Sequence, residues 1–303
     1  MSFGYFDLQV NGYAGIDFNQ NNLSAIDLNN ACRKLKKDGV QGILATIITA
    51  SPDDMITRLQ RLVQLREMNE LAKKIIYGFH IEGPFLNKKA GYRGAHPAQW
   101  LRAADTELLK KLLDAAGGLT KIVTLAPEID KNFRMTKMLV REGITVSAGH
   151  CNPNLDELRA AIDAGLKMFT HLGNGCPLNL HRHDNIIQRA LSLRDHIWLC
   201  FIADGVHIPF FSLKNYLNIA GYEKSIIVTD AMAAAAAREG KYKLSHLQLE
   251  VGADRIVREP GKPNFAGSAV TMQQNHHNLT EYLGLSEEQC GRLMYKNPMK
   301  AIV

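Results

Sequence analysis

Residues 75–84 read IIYGFHIEGP. A run of apolar and aromatic residues stops at Glu82, Gly83 and Pro84. A short apolar run of this kind marks a strand covered on both faces, as in a parallel sheet. A carboxylate at its end is costly to bury unless it is paired or bound to a metal. The same construction recurs along the chain, as DLQVNG at 7–12, SAGH at 147–150, THL at 170–172 and VTDA at 228–231. Each phrase closes an apolar run and delivers a polar or metal-binding side chain at its end. Barrels of the (β/α)8 type build their active sites at the C-terminal ends of their strands. Glu82, His150, His171 and Asp230 are therefore expected to meet at one mouth, as a candidate metal site with an attendant carboxylate. That is the footprint of a metal-assisted hydrolase.

Working outward, eight strand candidates follow in order: Tyr5–Val10, Gly42–Thr49, Ile75–Ile81, Lys121–Leu125, Thr145–Ala148, Lys167–Thr170, Ile197–Ile202 and Ser225–Thr229. Helix-like segments lie between them. Leu23–Asp38 stops at Gly39, and Pro52–Leu71 has Ser51 as its N-cap and Pro52 at the first helical position. Thr106–Ala116, Phe133–Glu142, Asn154–Ala164 and Phe210–Ile219 each end at or near a glycine. A last helix is expected over Ser286–Ala301. The run Ala233–Ala237 reads either as a helix turn or as a small-residue loop beside the substrate. Strand alternating with helix eight times predicts the α/β class and a (β/α)8 TIM-type barrel, one catalytic domain over residues 1–303.

With 303 residues, 46% hydrophobic and 22% charged, a large core is easily filled. The net charge of +6 suits an anionic partner, either nucleic acid or a small molecule. There is no block of five or six like charges and no basic–aromatic interleaving, so nucleic acid is not expected. The clusters Arg33–Lys37 and Lys73–Lys74 read as solvated helix faces. No apolar stretch is long enough for a membrane span, and Met1–Phe6 lacks the pattern of a signal peptide. Five scattered cysteines without a Cys-x-x-Cys pair read as reduced thiols of a cytoplasmic protein.

Taken singly, Glu82 could be a surface-turn acid and each histidine a hydrogen-bonded turn residue. On strands three, five and six together they converge, and a His2Glu set leaves an open position for water on a catalytic Zn2+. Asp230 either pairs with a barrel lysine or arginine, or acts as general base and then as general acid toward a leaving amine. His96, in the Gly-rich loop Gly91–Pro97, is a candidate for polarising a carbonyl. His207, in Asp204-Gly205-Val206-His207, either orients substrate or closes its loop. Gln9 and Asn11 are neutral and are placed to hydrogen-bond near the metal without ligating it. Arg182, in Leu180-His181-Arg182-His183-Asp184, has the guanidinium fork that grips phosphate or carboxylate. Gly267 and Ser268 form a backbone-rich turn that could touch ligand. No phosphate-binding loop and no dinucleotide fingerprint is present.

In order, Asp7–Gly12, Gly78–Pro84, Thr124–Glu128, Val146–Asn152, Phe169–Leu172, Ala203–His207, Val228–Ala231, Ala266–Met272 and Asn297–Ile302 resemble the N-acetylglucosamine-6-phosphate deacetylases of the amidohydrolase superfamily. The resemblance implies a barrel holding one divalent metal, Zn2+ or Fe2+. Glu82, His150 and His171 match its metal ligands, Asp230 its catalytic carboxylate, His96 its carbonyl-polarising histidine and His207 a substrate-binding one. Gln9 and Asn11 fall where many superfamily members carry His-x-His and a second metal. Asn174 and Gly175 match backbone that contacts the sugar phosphate, and Arg182 its phosphate arginine. Against the family pattern, the chain is expected to be a barrel alone, without the flanking segments that build a small β-sandwich. It also reads Gly173-Asn174-Gly175-Cys176 after Thr170-His171-Leu172, where the family has Phe/Tyr-Asn-Ala-Met.

The activity implied is metal-dependent deacetylation of an N-acetyl amino sugar phosphate, most simply N-acetylglucosamine-6-phosphate, to the amine and acetate. Hydrolysis of an unphosphorylated N-acetyl sugar or of another amide is the alternative. A non-catalytic sugar- or nucleic-acid-binding barrel stands behind both. The partner expected is a small amino sugar, without nucleic acid or membrane, and the family's habit adds a homodimer to the expectations.

Overall fold

The structure, a computed structural model, describes residues 3–261 and 265–302. Its main sheet has eight parallel strands in sequence order: β1 Tyr5–Val10, β2 Val40–Ile48, β3 Ile76–Glu82, β4 Thr120–Leu125, β5 Thr145–Ala148, β6 Leu166–Phe169, β7 Trp198–Ile202 and β8 Ser225–Val228. Each pairs in parallel with the next, with helices in the crossovers. The barrel expectation holds, and every strand lies within two residues of its predicted bounds.

No ladder joins β8 back to β1. One parallel bridge, Val10 to Ala231, spans the gap, with Asn11 N donating to Ala231 O at 2.7 Å. Below it, the Asp7 carboxylate replaces backbone pairing by accepting from Thr229 N (3.2 Å) and Thr229 Oγ1 (2.5 Å). Burial outweighs these bonds and pushes the Asp7 carboxyl up to about 7.

Phe6, Leu8, Leu44, Ile122, Met168, Ile202, Ile226 and Val228 fill the lower barrel interior, where Ala301 and Ile302 also pack. A larger cluster cements sheet to helices, for example Ile43, Ile47, Phe79 and Ile81 with Leu28, Leu35, Leu59 and Leu62. Above the apolar lumen layer the interior turns polar. His80 bridges Leu8 O (3.0 Å) and Thr124 Oγ1 (2.7 Å), and burial lowers its pKa to about 4.

The helices, in chain order, are α1 Ala25–Lys37, α2 Pro52–Glu67, α3 Glu70–Ile75, α4 Thr106–Ala115, α5 Arg134–Arg141, α6 Leu155–Asp163, α7 Ile186–Ser192, α8 Phe210–Ala220 and α9 Met272–Glu281. Two expectations need correction. Pro52–Leu71 is not one helix: the Asn69 side chain accepts from Leu71 N and Ala72 N, caps α3, and so ends α2 early. Ser286–Ala301 is helical but not uniform. Pro298 supplies no N–H, and residues Arg292–Lys296 widen into a π turn with Asn297 N bonded to Arg292 O.

Among the elements unread in the sequence are α7, α9 and a three-stranded antiparallel sheet of β9 Gly240–Leu244, β10 Leu247–Val251 and β11 Val257–Arg258. Its buried face, Leu244, Leu249, Val251 and Val257, packs on Ile48 at the end of β2 and on Met232–Ala234. Ala233–Ala237 is a buried small-residue turn rather than a helix, with Ala233 O and Ala235 O accepting from Gly15 N and Ala14 N. Among the described residues no helix is long and apolar enough to cross a membrane, and all five cysteines are free.

Candidate active site

Glu82 ends β3, while His150, His171 and Asp230 each lie two residues beyond β5, β6 and β8. The last three share a backbone feature: φ is 50° at His150, 27° at His171 and 50° at Asp230, the left-handed region that L-residues rarely adopt. Strain of this kind persists where surrounding structure over-determines it, and it gathers at functional sites.

Glu82 Oε1 lies 2.9 Å from His171 Nε2 and 3.4 Å from His150 Nε2, and all three residues are buried. Their potential ligand atoms fall within 4.8 Å of one another. Burial alone would raise the Glu82 carboxyl, but bonds and charge from His150 and His171 hold it well below the ordinary range. Burial likewise disfavours charge on His171, and Glu82 reverses this, raising the imidazole. His150 Nδ1 bonds to Tyr92 O at 2.8 Å. In the neutral ring this leaves the Nε2 lone pair facing Glu82 Oε1, an arrangement that a cation between them satisfies. Two imidazoles and a carboxylate, buried and aimed together, fit a divalent metal.

Asp230 lies close enough for the charges of Glu82 and His171 to act on it. Burial and then Glu82 raise its carboxyl, His171 and the Asn11 bond lower it, and it settles at about 6. Asn11 Nδ2 donates to Asp230 Oδ1 at 2.7 Å. Gln9 Oε1 accepts from Thr170 Oγ1 at 2.5 Å, next to His171. Asn11 thus reaches Asp230 and Gln9 reaches the residue before His171.

His96 Nε2 lies 4.0 Å from Glu82 Oε2, and its ring packs edge-on to His150 with centroids 4.4 Å apart. His96 Nδ1 is hydrogen-bonded to Thr49 Oγ1 at 2.8 Å, and Thr49 Oγ1 donates to Glu82 O at 3.4 Å. Nδ1 is thereby engaged by Thr49, and Nε2 is the nitrogen directed at the site. Burial and His150 lower the His96 pKa to about 3, which keeps the ring neutral.

The remaining predicted residues divide. His207 closes its loop through Asp204, with Nδ1 to Oδ2 at 2.6 Å and its backbone N to Oδ1 at 2.8 Å, and its ring lies beside Phe265. Asn174 folds back onto His171 O. Gly175, at φ 63°, approaches the His150 ring so closely that a Cβ there would meet Nδ1 at 2.8 Å. Gly175→Ala is accordingly expected to weaken divalent-metal binding by about 10-fold, as lost support of a ligand does; a zinc titration checks it. Ser268 spends its hydroxyl on Thr229 O (2.6 Å), and its N donates to Asp230 O, so the Gly267–Ser268 turn buttresses Asp230. Arg182 stands apart, exposed on the loop between β6 and α7. Sequence reading missed Thr49, the Tyr92 carbonyl and Thr170. Thr49 and Thr170 close strand-end runs and could have been found on that ground; a carbonyl leaves no residue signature.

No protein-family model matches the chain. An N-acetylglucosamine-6-phosphate deacetylase of Bacillus subtilis is 32% identical over 304 residues, spanning 99% of this chain and 74% of that protein. The chain belongs to the N-acetylglucosamine-6-phosphate deacetylase family. A Homo sapiens member is 30% identical, with 94% of this chain and 70% of that protein covered. A Mycobacterium smegmatis deacetylase variant, solved in complex with N-acetyl-D-glucosamine-6-phosphate, superposes with a TM-score of 0.89 at 29% identity, over 99% of this chain and 77% of that one. The Thermotoga maritima deacetylase gives 0.86 at 26%, over 99% and 78%. Family membership accounts for the order of the strand-end phrases, and the buried Glu82–His150–His171 cluster is where a member's divalent metal fits.

Proposed function

We propose that this chain hydrolyses the acetamide of N-acetylglucosamine-6-phosphate, releasing acetate and glucosamine-6-phosphate. Asp230 carries the reading: a buried carboxylate raised to about 6 by burial and Glu82, beside a cluster suited to a metal, in a chain with deacetylase relatives. The barrel is the catalytic unit, because every assigned residue sits on its strands or on the loops that follow them.

Glu82, His150 and His171 would hold the divalent metal, with Zn2+ the best match to a His2Glu donor set and Fe2+ the second. When bound, it supplies Lewis acidity toward the acyl carbonyl and acidifies water. Ionised Asp230 takes the proton of the attacking water, and the water oxygen forms the new bond to the carbonyl carbon. His96 Nε2–H donates to the oxygen on which charge develops. The C–N bond then breaks, and protonated Asp230 returns its proton to the leaving amine. Asn11 keeps the Asp230 carboxylate aimed throughout. His207, fixed by Asp204, and the Asn174–Gly175 turn face the sugar.

Arg182 is assigned to the phosphate. Arg182→Ala is expected to raise KM for the phosphorylated sugar by about 10-fold or more, the worth of a charge-assisted bond, with little change in kcat and none for plain N-acetylglucosamine. Equal effects on the two sugars would instead favour an unphosphorylated substrate. The test of the function itself is acetate release from the two sugars, assayed with metal content measured per chain. Release from neither would discard the substrate.

A further inference from the structure

Glu128 takes no part in the chemistry above, yet it is tied to the main chain around His150. It sits in the 3-10 turn Pro127–Ile129 directly after β4. Its Oε1 accepts twice, from Asn152 N at 2.7 Å and from Asn87 Nδ2 at 2.7 Å. Asn87 N in turn donates to His150 O at 3.0 Å. One carboxylate oxygen thus clasps the chain two residues after His150 and, through Asn87, the carbonyl of His150 itself. These are the segments that must hold His150 at φ 50°. The ring is gripped separately, by Tyr92 O. Asn152 is further anchored through Oδ1 to Arg189, which also bonds Pro153 O at 2.9 Å.

We propose that Glu128 is a positioning residue for His150: it fixes the strained main chain from which the imidazole reaches the metal. The proposal rests on the reading of His150 as a metal ligand. A carboxylate suits the place because one anionic oxygen makes two short, charge-assisted bonds to donors on different loops. Partners that orient a ligating histidine typically govern metal affinity. Here the orientation acts on the backbone as well as on the ring.

The experiment is a Zn2+ titration of metal-free protein against a competing chelator, with melting temperatures measured in parallel. Glu128→Ala is expected to bind Zn2+ about 10–100-fold more weakly. Glu128→Gln, whose amide oxygen can still accept both bonds, should stay close to wild type. Asn87→Ala removes one arm and should fall between them, and it serves as the test if Glu128→Ala does not fold. Wild-type affinity in Glu128→Ala or Asn87→Ala, even with a lowered melting temperature, overturns the proposal. So does a Glu128→Gln as weak as the alanine variant. Acetate release is not part of the readout. A wild-type chain that binds no Zn2+ defeats the metal reading and this proposal with it, whereas normal zinc binding in the variants defeats this proposal alone.

Discussion

Asp230→Asn is expected to lower turnover by about 10³-fold, roughly 4 kcal/mol of barrier, while the protein still takes up its metal. The substitution keeps shape and an oxygen for Asn11 Nδ2, so the site should stay assembled. It removes the only feature that lets this group take and return a proton. Activity should follow the same carboxyl. In the metal-free chain burial and the Glu82 charge raise it to about 6, a cation held by Glu82 would draw it lower, and only its ionised form can act as base, so kcat/KM should climb through a titration at or below about pH 6. Stability of the metal-free chain runs the opposite way. An acid whose folded pKa is raised binds its proton more tightly in the fold. Its contribution is complete below the ordinary carboxyl value and is lost as pH rises through about 6. Asp230→Asn should therefore melt higher than wild type at neutral pH, trading function for stability. A variant with wild-type turnover would sink the assignment, and activity that does not fall anywhere on the acid side would remove Asp230 as the titrating base.

That one mouth would gather Glu82, His150, His171 and Asp230 was legible because each closes an apolar run, and parallel strands in a barrel all point their C-terminal ends the same way. Register mattered little: β2 begins two residues before its predicted start without moving any ligand. What stayed hidden was mostly backbone. Tyr92 orients His150 through its carbonyl, and Ala231 O closes the barrel on Asn11; neither use depends on the side chain. Asn69 was readable as a cap, but the apolar spacing on both sides of it pointed to one continuous helix. The alternation Leu247-Gln248-Leu249-Glu250-Val251 carries the period of a half-exposed strand. It belongs to a sheet outside the barrel, so counting eight parallel strands passed over it. Arg182 marks the other limit. A guanidinium in the right sequence context predicts what it can bind, but not that its loop leaves it exposed.

Glu82→Gln should abolish metal retention, with affinity falling by more than the roughly 100-fold that outer partners command. Glu82 Oε1 is the point on which both imidazoles converge, at 2.9 and 3.4 Å. Its charge is also what raises the buried His171 against desolvation. An amide of the same shape keeps the packing but presents no anion. The His171 ring then follows its burial and becomes neutral, so the substitution does not strand a buried cation, and the fold should survive where a lone charge would cost about 3–5 kcal/mol. The decisive measurement is metal per chain after dialysis, set beside a melting curve. A folded variant that holds no metal and releases no acetate places the cation on Glu82. A folded variant with one metal per chain and wild-type turnover would mean that the cation sits elsewhere in the mouth, and that the Glu82–His150–His171 cluster is an ion-pair network holding β3, β5 and β6 together.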